Sequence, residues 1–216
     1  MVTHQRSLFA NGEPGVAPDA AFERVDLGAG SWVDVARGWF EGGDKLLDHL
    51  VGVVTWKQGR RRMYDRVLDD PRLSCWLRDD DTLPHPVLDD VRRALQARYA
   101  ARFGAVGLNY YRDGRDSVAF HRDRELRDLE DTLIAIVTLG ACRPFLIRPY
   151  GGGPSRPVAP ASGDLLVMGG ACQQHFEHAV PKLARAGPRI SMTWRWSSPA
   201  VLDGNSVSGG RRGRRR

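Results

Sequence analysis

What most limits the folds open to this chain is a series of short apolar or alternating runs after Gly104, each closed by a turn signal. The runs are Val106–Tyr111, Ser117–Asp123, Thr132–Gly140, Phe145–Pro149, Asp164–Met168, Phe176–Val180 and Arg189–Trp196. Asp113-Gly114, Gly151-Gly152-Gly153 and Ser162-Gly163 punctuate them, and segments of this length between such turns read as strands. Seven strands at this spacing predict a sandwich or barrel of the jelly-roll kind. No internal repeat accompanies them.

Upstream the pattern predicts helices. Ser31 can cap one carrying Trp32, Val35, Ala36 and Trp39 on one face, and Asp44 can cap a second carrying Leu46, Leu47 and Leu50. Pro86 starts a third, in which Val87, Val91, Leu95 and Tyr99 recur every four residues. The expected class is therefore α+β, mainly β: a jelly-roll core with an α-rich N-terminal half packed outside it.

At 216 residues, with 42% apolar and 27% charged positions, the chain suits one compact domain and excludes a disordered protein or a two-domain machine. Residues 1–20 are Gly, Pro and Ala rich and 201–216 are Gly, Ser and Arg rich, so both ends are expected to lack regular structure. The domain is placed at 21–200, with helices and a recognition segment over 21–104 and the jelly-roll core over 105–200.

The net charge of +6 is a poor argument for nucleic-acid binding by itself. Arg211, Arg212, Arg214, Arg215 and Arg216 supply five of the positive charges, leaving the body nearly neutral. Such a tail is expected to add salt-sensitive, sequence-independent affinity for phosphates. The odd number of cysteines, Cys75, Cys142 and Cys172, and their spacing fit reduced thiols rather than a disulfide scaffold or zinc finger. The longest apolar run, Leu133–Cys142, is too short to span a bilayer, and the N-terminus has no signal pattern. The expectation is a cytoplasmic protein with no membrane partner.

The chemistry begins in Ser117-Val118-Ala119-Phe120-His121-Arg122-Asp123. An extended backbone puts residues two apart on one face, so His121 and Asp123 point together. His178, in Gln174-His175-Phe176-Glu177-His178, can complete a set of two histidines and one carboxylate, the ligand set of non-haem Fe(II) oxygenases, with positions left open. His175 is a rival third ligand; His178 is preferred because it begins an apolar continuation, Ala179-Val180-Pro181.

In the last run, Arg189, Ser191, Thr193 and Arg195 share one face, and Ile190, Met192, Trp194 and Trp196 share the other. Two arginines facing into a core need anionic partners, for which a dicarboxylate is one candidate; the alternative is a solvated pair. Asn109 and Tyr111, again two apart, could orient carboxylate oxygens by neutral hydrogen bonds.

Taken in order, Asn109-x-Tyr111-x-Asp113-Gly114, Asp116-Ser117, His121-x-Asp123-x-Glu125, His178 and Arg189-x-Ser191-x-Thr193-x-Arg195 resemble the AlkB family of Fe(II)- and 2-oxoglutarate-dependent dioxygenases, over roughly residues 105–196. The resemblance implies a double-stranded β-helix fold, with His121, Asp123 and His178 as catalytic iron ligands. It also implies that Asn109, Tyr111, Arg189, Ser191 and Arg195 line the site of 2-oxoglutarate, the two arginines pairing with its two carboxylates. The family pattern usually has Asn where this chain has Ser191, a shorter group expected to weaken one contact or recruit a water.

The same resemblance implies oxidative removal of alkyl groups from nucleobases with Fe(II), 2-oxoglutarate and O₂, releasing formaldehyde, succinate and CO₂. Glu125 resembles the family's acidic residue near the exocyclic amine of the base, which would favour adenine or cytosine lesions. The partner is then alkylated DNA, with RNA a second polymer, approached by a monomer. The alternatives are an oxygenase of the same fold acting on a protein or small molecule, and a non-catalytic protein that binds alkylated DNA.

Substrate access is expected from the run Trp56-Lys57-Gln58-Gly59-Arg60-Arg61-Arg62-Met63-Tyr64-Asp65-Arg66, where cations suit phosphates and rings suit unstacked bases. Next, Asp70-Pro71-Arg72-Leu73-Ser74-Cys75-Trp76 loosely resembles the segment before the family's base-binding wall. Trp56, Tyr64, Arg72 and Trp76 are therefore candidate substrate contacts, with Trp76 or Tyr64 stacking on a flipped base. The competing reading makes Trp76 core and the basic run a solvated hairpin.

Overall fold

A computed structural model describes residues 12–63 and 66–197. Two antiparallel sheets face each other. The smaller has the order β11-β10-β13-β8, from β8 (Val118–His121), β10 (Phe145–Pro149), β11 (Arg156–Val158) and β13 (Phe176–Val180). The larger contains β2 (Phe22–Gly28), β3 (Ser31–Ala36), β5 (Lys57–Met63), β6 (Arg66–Leu77), β7 (Val106–Tyr111), β9 (Thr132–Gly140), β12 (Leu165–Gly170) and β14 (Arg189–Ser197), in the order β2-β3-β12-β9-β14-β7-β6-β5. A separate pair joins β1 (Gly15–Val16) to β4 (Phe40–Glu41). This is the mainly-β jelly roll expected from the runs after Gly104.

Alternation along the central strands sorts the core into two layers. Leu133, Ala135, Val137 and Leu139 of β9 face out to a cluster with Leu46, Leu47, Leu50, Leu88, Val91 and Leu95, while Ile134 and Ile136 face the small sheet with Phe145, Ile147 and Val180. All nine residues of β9 are buried, which is why this run reads as continuously apolar.

The outer layer is closed by α1 (Gly43–Val53) and α2 (Val87–Tyr99). The expected start of α1 is corrected: Gly42, at φ 66°, occupies the N-cap, and Asp44 lies in the first turn, accepting from Ser162 Oγ at 2.9 Å. A Cβ on Gly42 would lie 2.5 Å from the Gly12 carbonyl oxygen, so backbone crowding selects glycine there.

The helix expected after Ser31 is overturned, because Ser31–Ala36 is β3, paired on both edges with β2 and β12. Val33 and Val35 face the inner layer, whereas Trp32, Asp34 and Ala36 face the opposite way; Asp34 is buried against Arg24 and the Tyr99 hydroxyl. Trp32, Val35, Ala36 and Trp39 fit a helical period by coincidence, and the tight Gly28-Ala29-Gly30 turn, with positive φ at all three residues, makes a hairpin instead. With β1 to β6 in place, the N-terminal half is not α-rich.

A short helix, α3 (Cys172–His175), leads into β13. The basic run forms β5, the outer strand of the large sheet, hydrogen-bonded to β6. Charges on an edge strand discourage pairing with another chain. Among the described residues no helix is long and apolar enough to cross a membrane.

Candidate active site

The two sheets open around a cavity of about 300 Å³. From the small sheet, antiparallel pairing of β8 with β13 sets His121 directly opposite His178, with ring centroids 4.3 Å apart. Asp123 follows two residues beyond β8, and one ligand atom from each of His121, Asp123 and His178 lies within 4.8 Å of the others. His175 is exposed on α3 and outside this group, which leaves His178 as the third member.

Burial and neighbouring groups set the protonation of His178 and Asp123 in the direction that a metal requires. The Ala119 carbonyl accepts from His121 Nδ1 at 3.0 Å, which orients the ring and leaves Nε2 on the side of Asp123, 3.6 Å from Oδ1. Burial, with His121 beside it, pushes the His178 imidazole down to about 3, so it is neutral. Burial alone would raise Asp123, but the Arg195 guanidinium beside it outweighs that and holds the carboxyl below its ordinary value. Arg195 Nε donates to Asp123 Oδ2 at 2.5 Å. Two imidazoles and one ionised carboxylate, all at one end of a cavity, suit Fe(II).

The facing wall comes from the large sheet. Ser191, Thr193 and Arg195 of β14, Asn109 and Tyr111 of β7, and Arg72, Ser74 and Trp76 of β6 line it, brought into line by the pairing of Ser191 and Ser74 on either side of Asn109. Arg72 Nε donates to Asn109 Oδ1 at 3.0 Å, which leaves the Asn109 amide as a donor. Arg189 sits behind this wall with no exposed surface. It donates to the hydroxyls of Ser191 and Thr138, and lies 5.3 Å from the Tyr111 ring.

The two arginines differ from expectation in one respect. Arg195 is already paired with Asp123, whereas the bonds of Arg189 go to hydroxyls and its Nε has no partner among the described residues. Burial pulls the Arg189 guanidinium below its ordinary value. A fully buried cation facing hydroxyls and a phenol is an anion site, so these residues fit a cosubstrate carboxylate, with Arg189 the stronger demand. Ser191, shorter than the family's usual Asn, here fixes the Arg189 guanidinium.

Trp76 is 54% exposed, so it is not core. Its ring lies over Gly107, where a Cβ would come within 2.8 Å of it, and 5.4 Å from the Arg195 guanidinium. One face is thus bedded and the other looks out at the cavity. Trp56 is not brought there: it packs on Tyr110, centroids 5.2 Å apart, against the helix-facing layer. Glu125 is also elsewhere, exposed in the turn over 124–128, because β8 ends at His121 and the Leu126 amide folds back onto the Asp123 carbonyl. The expected alternation past Asp123 therefore fails. Tyr64 lies outside the described residues.

Sequence reasoning missed Gln173 and Arg143. Gln173 Oε1 accepts from the Asp123 amide at 2.8 Å, and Arg143 is a fully buried guanidinium beside Tyr111. A polar residue isolated in sequence from its partners carries no local signal.

A His-Asp-His group opposite an anion-seeking wall, inside a jelly roll, is what a 2OG-Fe(II) oxygenase requires. The sequence model of the 2OG-Fe(II) oxygenase superfamily matches residues 51–200. The chain is 31% identical over 177 residues to alpha-ketoglutarate-dependent dioxygenase alkB homolog 3 of Mus musculus, covering 72% of this chain and 62% of that protein. It is 35% identical over 119 residues to DNA oxidative demethylase ALKBH2 of Homo sapiens, covering 51% of this chain and 46% of the relative. The chain belongs to the 2OG-Fe(II) oxygenase superfamily. Among solved structures, that of OsALKBH1 shares the fold, with a TM-score of 0.54 at 15% identity over 81% of this chain and all of that one. The chain spans less than two thirds of the length of these curated relatives.

Proposed function

We propose that this chain is an Fe(II)- and 2-oxoglutarate-dependent oxidative demethylase of N-alkylated bases, of the 1-methyladenine and 3-methylcytosine type, in DNA and secondarily in RNA. The observation that carries the reading is the placement of the His121, Asp123 and His178 group in a cavity whose rim bears the exposed face of Trp76. Relatives named as DNA oxidative demethylase and alkB homolog 3 support the substrate class.

His121, Asp123 and His178 would hold the iron, and Arg189, Ser191, Tyr111 and Asn109 would hold 2-oxoglutarate. With O₂, that centre supplies oxidation of an N-methyl group, which leaves as formaldehyde while 2-oxoglutarate becomes succinate and CO₂. The protein contributes placement. Arg195 fixes the Asp123 carboxylate, Arg72 turns the Asn109 amide toward the cosubstrate, and the apolar side chains Ile134, Ile136 and Phe145 keep water from the inner end of the cavity.

The testing experiment measures formaldehyde and succinate with Fe(II) and 2-oxoglutarate on single-stranded DNA containing 1-methyladenine or 3-methylcytosine. Formaldehyde stoichiometric with succinate, dependent on the methyl group, is the expected result. Succinate formation indifferent to methylated DNA would move the substrate to a protein or small molecule, and absence of both products would favour the binding protein.

Trp76 gives a second test. Its outer face can stack on an extruded base, an interaction of about 1–3 kcal/mol per base. Trp76→Ala is expected to raise the KM for the methylated oligonucleotide about 5- to 150-fold by that measure, while the KM for 2-oxoglutarate and the melting temperature stay near native. An unchanged oligonucleotide KM would return Trp76 to a packing role.

A further inference from the structure

The ladder that joins the strands of His121 and His178 is short and irregular. β8 and β13 pair at His121 with His178 and at Val118 with Val180, with a bulge between. Backbone pairing leaves both ends loose. Pro181 follows Val180 without an N–H to extend the ladder, and Asp123 lies beyond the end of β8.

At each end a buried side chain supplies the missing bonds. Beyond β8, Gln173 from α3 accepts from the Asp123 amide at 2.8 Å. Gln173 is 1% exposed and its amide nitrogen has no partner among the described residues, so the bond to Asp123 accounts for the burial of an otherwise costly group. At the other end, Arg143 Nη2 donates to the carbonyls of Asp116 at 2.8 Å and Pro181 at 2.6 Å, and Nη1 donates to that of Asp113 at 3.1 Å. One guanidinium nitrogen thus bridges the residue two before β8 and the residue after β13. These bonds go to backbone carbonyls, which is how a guanidinium staples chain segments together.

We infer that Gln173 and Arg143 are positioning residues that clamp the β8–β13 ladder from its two ends and so set the spacing of His121, Asp123 and His178 for one metal ion. Neither side chain is itself a ligand. Arg195 orients the Asp123 carboxylate, while Gln173 fixes the backbone that carries it, and a ligand set fixed from both directions keeps its geometry when the ion is absent. A packing role alone would affect stability and leave metal affinity in the folded protein unchanged.

The inference rests on the metal reading of the triad, and one experiment separates the two. Co(II) is titrated into the metal-free full chain and followed by visible absorption, with melting temperatures recorded in parallel. Native protein is expected to bind Co(II), and His121→Ala to lose it. Gln173→Leu, and Gln173→Asn, which keeps an amide but is one methylene too short, are expected to weaken Co(II) about 10- to 100-fold and shift its absorption bands, as for other outer partners of metal ligands. Arg143→Lys keeps the charge but bridges fewer carbonyls, and is expected to weaken Co(II) about 10-fold. Should Gln173→Leu not fold, Gln173→Asn carries the same expectation. Native affinity and spectrum in the folded Gln173 and Arg143 variants would overturn the clamp while leaving the metal centre standing. Native protein that takes up no Co(II), or His121→Ala that binds it unchanged, would remove both.

Discussion

His121→Ala is expected to lower 2-oxoglutarate turnover by more than about 100-fold, beyond the loss that follows from disturbing an outer partner of a metal ligand, with little change in melting temperature. The argument is one of partners. The His121 side chain is 37% exposed and its remaining hydrogen bond goes to the Ala119 carbonyl, so truncation leaves no buried group unsatisfied. Asp123→Ala should be different. Its carboxylate is buried and holds Arg195 Nε, and removing one member of a buried pair typically costs about 3–5 kcal/mol. Because the Arg195 side chain keeps 24% exposure, the low end of that range applies. Succinate formation and thermal melting of the two variants, side by side, therefore separate chemistry from stability: both lose turnover, and Asp123→Ala alone melts markedly earlier. Turnover retained by His121→Ala would exclude it from the metal site.

That contrast also shows where the sequence was legible. His121 and His178 could be found because strand alternation and the apolar runs β8 and β13 constrain the directions of their side chains, and the matching register then put them opposite each other. The faces of β14 and β7 were legible for the same reason: period two holds wherever a strand continues. The ladder stopped at His121; Asp123 still shares the site with it, its amide bonded to Gln173, and Glu125 did not reach it. Ser31–Ala36 misled because it is a strand covered on both faces, and a segment with two buried faces has no polar stripe to reveal its period. Trp56 and Trp76 were equivalent as letters; that Trp76 lies on the cavity side follows from its pairing opposite Gly107 across β6 and β7, a long-range fact. Arg143 and Gln173 depend on partners 27 to 50 residues away and leave no mark in a local pattern.

Arg189→Met is expected to raise the KM for 2-oxoglutarate while leaving the free protein as stable as the native chain or more so. The opposite signs follow from the same observation. Arg189 has no exposed surface, bonds to Ser191 and Thr138 hydroxyls, and among the described residues forms no ion pair with a carboxylate. Without its anion it is a desolvated cation among neutral groups, and replacing such a group with an apolar side chain of similar volume is often neutral or stabilising. With the anion, it provides a charge-assisted bond whose loss costs about 2–5 kcal/mol, which corresponds to roughly 30- to 5,000-fold in affinity. Arg189→Lys should fall between, since it keeps the charge but cannot reach both hydroxyls and a carboxylate from one planar group. The measurements are succinate formation against 2-oxoglutarate concentration and melting temperature with and without 2-oxoglutarate. The native chain should gain stability from the cosubstrate by mass action, and the Met variant should not. A Met variant that is strongly destabilised yet keeps a native KM would make Arg189 a structural residue and send the cosubstrate carboxylate elsewhere on the wall. The expected pattern, stability kept and cosubstrate lost, would identify a charge that the fold tolerates for the ligand it binds.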